Sequence, residues 1–380
     1  MDKKSMQSRK LDSIQFLRGI AVLLVVAFHF RQYINSIYAQ SDLGDRLFGL
    51  GEVGVDIFFV ISGFIIVYSS KNKENNTVSE FCIKRFFRLY PVYFLVLMLL
   101  VYLDSAQSYS FSKIAKSLFL IPNDYNSIGP WYGFSINLPA WTLTYEVMFY
   151  TLFAVSIGIS HKYRTLLCVF LMVAIVSASQ LYFRGHLQID PITRDAGPDA
   201  LLRNLTFLSS PIVYDFIFGM FIAEFYMRVN DKLTGNKAFI MFMVCIFWIS
   251  VALIISGYNR GGGIERWGLY SFALVGSLVM LSKHIDIRFG GFWIMVGEMS
   301  YSIYINHMVV KKLSGIYLRG FGIYKANGGI TLFLILFILT FVMSYLTYSL
   351  IEKPSVSIGH KLAESIKRNR LRKMKSASTA

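Results

Sequence analysis

The strongest constraint on the fold of this chain is a series of long apolar segments that recurs along its whole length. A helix needs about 20 mostly apolar residues to cross a bilayer, and residues 328–351 form such a run without one charge. The sequence therefore predicts an all-α, polytopic membrane helix bundle with about ten transmembrane helices. The predicted spans are residues 14–34, 50–70, 87–104, 139–160, 165–183, 207–227, 237–258, 267–282, 291–318 and 329–351.

Charged residues are scarce and unevenly placed. They make up 16% of the 380 residues, against about 25% in an average soluble domain. With a cytoplasmic N-terminus, the two terminal segments and the cytoplasmic connections would together hold 25 of the 38 Lys and Arg residues. Since positive residues concentrate on that side, we expect both termini to be cytoplasmic.

The net charge of +16 does not indicate nucleic-acid binding, because of where the charge lies. We expect a transmembrane domain over residues 1–355 and a basic cytoplasmic tail over 356–380, which contains "KRNRLRKMK". Such a juxtamembrane segment is typical of contact with anionic membrane lipids. The sequence shows no metal-ligand spacing, so no metal is expected. It does not indicate which oligomeric state the protein has.

Ionisable residues inside predicted spans are costly and are functional candidates by default. Arg18 and His29 lie eleven residues apart in the first span, which puts them on one helix face about 16 Å apart. A neutral histidine is a usable general base near pH 7. The simpler alternatives are that Arg18 snorkels to the interface and that His29 bonds to a neighbouring helix.

The second and third spans add candidates near their ends. Asp56 opens the second span, either as a functional residue or in a structural ion pair or helix N-terminal role. Arg85 and Arg88 precede the third span with a spacing that projects both from one helix face. Two guanidinium groups suit phosphate binding, although an ordinary positive anchor explains the spacing equally well.

Later spans carry further polar groups. Glu146 lies near the start of the fourth span, where we expect it to pair with His29 and fix its tautomer, the alternative being an arginine partner. Ser302 and His307 in the ninth span are possible supporting residues. Glu352 and Pro354 are expected to end the last helix.

As a set, these motifs resemble the acyltransferase-3 family of integral membrane acyltransferases. The matching elements are Arg18 and His29, the Arg-x-x-Arg of Arg85 and Arg88, and four short stretches. Those stretches are "GVDIFFVISGF" in the second span, "WTLTYE" in the fourth, "SYSIYINH" in the ninth and "EKP" after the tenth. They occur in order over nearly the whole chain. Members often have Ser where "TLTYE" has its first Thr, but the Glu is kept.

The resemblance implies transfer of an acyl group, usually acetyl, from cytoplasmic acyl-CoA to a carbohydrate hydroxyl. It implies that His29 is catalytic with support from Glu146, and that Arg18, Arg85 and Arg88 serve the donor. The implied acceptor is a cell-surface carbohydrate or lipid-linked glycan, such as an O-antigen or exopolysaccharide, and the implied location is the bacterial cytoplasmic (inner) membrane.

Several points stay open at this stage. His29 could act as a general base or carry the acyl group itself, and the oxyanion could be stabilised by a buried hydroxyl or by Arg18. A transporter or flippase of lipid-linked sugars would also carry buried ionisable residues, but no repeated half is visible. A sensor or scaffold would tolerate the loss of His29.

Overall fold

The computed structural model describes residues 12–72, 77–104, 109–125, 127–192, 202–229, 235–318, 320 and 328–378. Over these ranges the chain is helical and contains no strand. The α-helices are α1 (Asp12–Phe30), α2 (Leu43–Phe48), α3 (Gly54–Ser69), α4 (Val78–Leu103), α5 (Phe111–Leu118), α6 (Trp141–Ile159), α7 (Arg164–Arg184), α8 (Tyr214–Arg228), α9 (Lys237–Ile255), α10 (Trp267–His284), α11 (Gly291–Glu298), α12 (Ser300–Tyr317), α13 (Gly329–Thr347) and α14 (Lys353–Ser378).

Seven helical stretches among the described residues are long and apolar enough to cross a membrane. They coincide with seven of the ten predicted spans, which confirms the all-α, multi-pass character of the chain. The stretches are Asp12–Tyr33, Leu43–Ser69, Val78–Leu103, Leu138–Ile159, Arg164–Arg184, Lys237–Ile255 and Gly329–Arg372.

The other three predicted spans are shorter or interrupted. α8 has only 15 residues, and α10 has 18 and ends in Lys283 and His284. The predicted ninth span is divided at Met299 into α11 and α12. The count of ten spans and the cytoplasmic position of both termini therefore stay predictions.

The last span does not end where the sequence predicts. α13 passes through a π-helical turn at Tyr348–Glu352 directly into α14. Proline lacks a backbone N–H, and a wider turn of this kind can accommodate the missing donor of Pro354. The expected helix stop is therefore wrong, and the predicted tail is helical as far as Ser378, with residues 379–380 outside the described ranges.

α14 packs along α4, so the basic tail is held against the bundle. The Ser355 hydroxyl donates to the Phe87 carbonyl over 3.0 Å, and Arg370 pairs with Glu80 at 3.3 Å. Glu80 also closes the start of α4, because its carboxylate accepts the Thr77 N–H at 3.3 Å in a capping box. This start fixes the helix register and hence the face on which its two arginines lie.

Close contact between α3 and α8 depends on two glycines. A Cβ atom added to Gly63 would lie 2.1 Å from the Phe216 carbonyl oxygen, and one added to Gly219 would lie 1.9 Å from that of Val60. Small residues let membrane helices approach through their backbones. The face of α3 that turns away from this contact, including Phe58 and Ser62, helps to line the central cavity of the bundle.

Candidate functional site

A cavity of about 410 Å³ lies inside the bundle between α1, α3, α4, α6, α12 and the start of α14. Its wall toward α3 is mostly apolar, but its lining also includes a concentrated set of charged groups. The cationic lining residues are Arg18, Arg85, Arg88 and Lys353, and the acidic ones are Glu146, Glu298 and Glu352. The structure therefore brings together four of the five residues proposed for the donor and catalytic roles, all except His29.

Arg85 presents a partly free guanidinium group to this cavity. Its Nη2 donates to the Ser69 hydroxyl over 3.1 Å, while its Nε is buried without a hydrogen-bond partner. The guanidinium group lies 5.4 Å from the Phe81 ring centroid and 5.5 Å from that of Tyr150. Two aromatic rings thus hold the cation in place while leaving N–H donors available to an anion.

Arg88 has a protein partner that the sequence did not suggest. It forms an ion pair with Glu352, whose side chain is fully buried, and the other Glu352 oxygen accepts the Ser302 hydroxyl over 2.5 Å. Glu352 is thus a site residue and not a helix stop, and Ser302 supports it. The sequence signals were an acid after the last span and its place in the stretch "EKP".

Arg18 and Glu146 also face the cavity. Arg18 donates to the Gln15 side chain over 3.1 Å, and Glu146 accepts a hydrogen bond from the Tyr150 hydroxyl one turn further along α6. Glu146 lies close enough to act electrostatically on both Arg18 and Arg88. It is therefore part of the arginine cluster.

The expected pair between His29 and Glu146 does not form. The His29 Nδ1 instead donates to the Val25 carbonyl over 2.8 Å, one turn back along α1. Because a carbonyl oxygen only accepts, this bond puts the ring proton on Nδ1 and leaves the Nε2 lone pair free. The backbone of α1 therefore fixes the His29 tautomer that Glu146 was expected to fix.

His29 has a second histidine beside it. The ring centroids of His29 and His307 are 4.8 Å apart, and His307 is completely buried. The His307 Nδ1 donates to the Tyr304 carbonyl over 2.7 Å, while its Nε2 has no hydrogen-bond partner. Both imidazoles thus use Nδ1 for a backbone bond, and we refer to them together as the histidine pair.

Tyr304 lies between the cavity and the histidine pair. Its side chain lines the cavity, and its ring centroid is 6.0 Å from that of His307. Its hydroxyl bonds to the Thr142 hydroxyl at 2.9 Å and donates to the Pro139 carbonyl at 3.0 Å. Tyr304 therefore forms the wall between the two polar regions.

Asp56 lies outside this site. Its carboxylate accepts the Gly263 N–H over 2.9 Å, and the neighbouring carboxyl group belongs to Asp215 of α8. Both side chains are buried. Asp56 therefore joins the start of α3 to the loop before α10, which favours a structural role. Among the described residues, no group of three or more His, Cys, Asp or Glu could hold a metal ion.

Comparison with known proteins identifies similar chains. The acyltransferase-3 family profile, which describes an acyltransferase domain, matches residues 11–349. The exopolysaccharide production protein ExoZ of Rhizobium meliloti is 28% identical over 273 residues, covering 68% of this chain and 76% of ExoZ. No solved structure matches.

Two further relatives are named as transferases. The acyltransferase MdmB of Streptomyces mycarofaciens is 29% identical over 157 residues, covering 38% of each chain. The O-acetyltransferase OatA of Staphylococcus aureus is 23% identical over 397 aligned positions, covering 94% of this chain and 59% of OatA. The chain thus spans less than two thirds of these two relatives.

Proposed function

This chain belongs to the acyltransferase-3 family, and on that premise we propose that it moves an acetyl group from acyl-CoA to a carbohydrate hydroxyl. As a multi-pass O-acyltransferase it needs one region for the donor and one for the chemistry. The observation that carries the proposal is the arrangement of an arginine-lined cavity beside a histidine with a fixed tautomer. The name of ExoZ supports a polysaccharide acceptor, and the name of OatA supports O-acetylation.

The donor end of the site is the arginine cavity. The nucleotide part of acyl-CoA carries several phosphate charges, and guanidinium groups bind phosphate through charge-assisted, paired N–H donors. Arg85 and Arg18 have donors to offer, whereas Arg88 is already paired with Glu352. We therefore assign the phosphate contacts first to Arg85 and Arg18, with Arg88 and Glu352 holding the cavity wall.

We propose that this cavity lies on the cytoplasmic side of the membrane, where acyl-CoA is available, as the predicted orientation requires. The cavity lies beside the first turns of α1, the start of α4 and the start of α14. These are the segments that the distribution of Lys and Arg assigns to the cytoplasm. The pantetheine arm would then extend toward the middle of the bacterial inner membrane, and the thioester at its end would lie deepest.

The chemical end of the site is His29. Its Nε2 lone pair can remove the proton of an acceptor hydroxyl, whose oxygen then attacks the thioester carbonyl. The same lone pair could instead attack the thioester and carry the acyl group. We propose the general-base role. Acetyl label that remained bound to the protein after an acid quench would instead show that His29 carries the acyl group.

The thioester must pass Tyr304 to reach His29. The cavity lining includes Tyr304 but not His29. We therefore propose that the Tyr304 side chain moves aside when the donor is bound, which breaks its bonds to Thr142 and Pro139. Because a lid of this kind excludes water until the acceptor is in place, it would limit hydrolysis of the thioester.

The test is transfer of label from radioactive acetyl-CoA to the glycan fraction of membranes that contain the protein. We expect label in the glycan with the wild type, and its loss in His29→Ala. The matched control is His186→Ala, because His186 is exposed beyond the end of α7. If the wild type moves no label while it transports lipid-linked sugars, the flippase interpretation replaces this proposal.

A further inference from the structure

Attack on a thioester puts negative charge on the carbonyl oxygen, and an enzyme lowers the barrier by placing fixed donors at that oxygen. Arg18, which the sequence offered for this task, lies in the cavity with Gln15, on the other side of Tyr304 from His29. We propose that the ammonium group of Lys311 stabilises this oxyanion beside His29. The inference rests on the proposed function, because it assigns a further catalytic residue to the same reaction.

Lys311 is placed by the helix that carries His307. It follows His307 by four residues in α12, so both side chains project from one face of the helix. Its Nζ donates to the backbone carbonyl of His29 over 3.3 Å, and its charge lies close enough to act on both imidazoles. The side chain is half-buried, so the cation is near the histidine pair and still reachable.

Lys311 also has hydrogen-bond donors to spare. An ammonium group has three, and the described contacts give Lys311 one long hydrogen bond and a Tyr33 ring whose centroid is 5.9 Å away. Up to two N–H groups are thus available to a developing oxyanion. Lys311 also falls within the predicted ninth span, where an ionisable residue is a functional candidate by default.

The other cations near His29 are already paired. The Arg31 Nε bonds to the Asp45 carboxylate at 2.7 Å and its Nη1 to the Phe28 carbonyl at 2.5 Å, while its guanidinium group covers the Phe28 ring.

Lys312 lies next to Lys311 but points elsewhere. It forms an ion pair with Asp104 at the end of α4. Burial opposes ionisation of that carboxyl group, but the Lys312 ammonium and a hydrogen bond from Tyr109 outweigh burial and lower the pKa of Asp104. Lys312 is therefore a matched control, since it is a lysine on the same helix whose charge is already paired with a carboxylate.

In the proposed step, the Nε2 of His29 takes the proton of the acceptor hydroxyl as its oxygen forms a bond to the thioester carbon. The carbonyl π electrons move to the oxygen, which becomes the oxyanion that Lys311 binds. Collapse of this intermediate re-forms the carbonyl and breaks the C–S bond. The sulfur leaves with the electron pair and takes the proton back from His29, which gives the ester and free CoA.

A purely structural role makes different predictions. The His29 carbonyl is among the last of α1, where a cation stabilises the helix end. If Lys311 only stabilised this helix end, its loss would lower the thermal stability of the protein. The transfer rate would then fall only by the fraction of protein that is unfolded. An oxyanion role instead lowers kcat while donor KM and stability are maintained.

The experiment compares Lys311→Met, Lys311→Arg and Lys312→Met in membranes supplied with acetyl-CoA, with release of CoA and labelling of glycan as readouts. We expect Lys311→Met to lower kcat about 100-fold, with donor KM within threefold of the wild type. Lys311→Arg should recover part of the rate because it keeps a cationic donor. Lys312→Met should stay within threefold of the wild type.

Three outcomes would overturn the inference. They are wild-type kcat in Lys311→Met, a raised donor KM with kcat unchanged, and a loss of rate that follows a loss of thermal stability. Each leaves the proposed function intact if His29→Ala is inactive while the wild type transfers label. Absence of transfer by the wild type would instead contradict the proposed function itself.

Discussion

The arginine cavity and the histidine pair are two polar regions of one bundle, and they are built in different ways. The cavity is rich in charge of both signs, and its arginines are held by hydrogen bonds, an ion pair and aromatic rings. In the histidine pair, both rings bond to the backbone through Nδ1, which leaves the Nε2 lone pair of each ring available. The first arrangement suits binding of a polyanion, and the second suits proton transfer.

The largest effect on acyl transfer is expected from a substitution of His29, which belongs to the histidine pair. His29→Gln keeps the size and polarity of the side chain but removes the basic nitrogen, so we expect transfer to fall about 1,000-fold. Donor affinity should be unchanged, because His29 does not line the cavity. Rates and donor KM measured on matched membranes check this. Comparable rates in His29→Gln and wild type would contradict a general-base role.

Arg85→Ala tests the other region. It removes a cavity cation whose N–H groups are partly free. A charge-assisted hydrogen bond is worth about 1.5–3 kcal/mol, so its loss should weaken the affinity for acyl-CoA about 10- to 100-fold. We expect donor KM to rise by that factor with kcat nearly constant. Arg46→Ala is the control, because Arg46 pairs with Asp42 on the surface.

Glu352→Gln tests whether the Arg88 pair shapes the cavity. Removing one partner of a buried pair leaves the other charge uncompensated, but Arg88 is 27% exposed, so we expect a loss of about 2 kcal/mol. Thermal unfolding in detergent measures it. The double variant Arg88→Met/Glu352→Gln should recover part of the loss, and no recovery would show that the two residues act separately.

The smallest expected effect lies at the wall between the regions. Tyr304→Phe removes the hydroxyl that bonds to Thr142 and Pro139. The lost hydrogen bonding is worth about 1 kcal/mol, so the Tyr304 side chain should move aside more readily. The transfer rate should therefore rise about fivefold, with the donor KM unchanged. A fall in rate would show that this hydroxyl orients the site instead of closing it.

Much of the cavity could be predicted because its signals are local. The spacing of Arg85 and Arg88, the depth of Arg18 and the position of Glu146 each follow from one helix and the cost of charge in lipid. The structure brings all four to one cavity. To predict that these four residues lie together, only the alternating direction of successive spans across the membrane is needed in addition to these local signals.

The partners of these residues could not be predicted, because they depend on tertiary packing. Glu352 joins the site only because a π-helical turn carries the last helix onward. The expected His29–Glu146 pair is wrong because each side chain bonds within its own helix. His29 bonds to the Val25 carbonyl, and Glu146 accepts the Tyr150 hydroxyl.

The most direct test of the account measures donor binding and acyl transfer separately in the same variants. Radioactive acetyl-CoA would be used with the wild type, His29→Gln and Arg85→Ala. We predict that His29→Gln binds the donor as the wild type does but transfers about 1,000-fold more slowly, whereas Arg85→Ala binds weakly and transfers at nearly full rate when saturated. Loss of donor binding in His29→Gln, or unchanged donor affinity in Arg85→Ala, would contradict the division between the arginine cavity and the histidine pair.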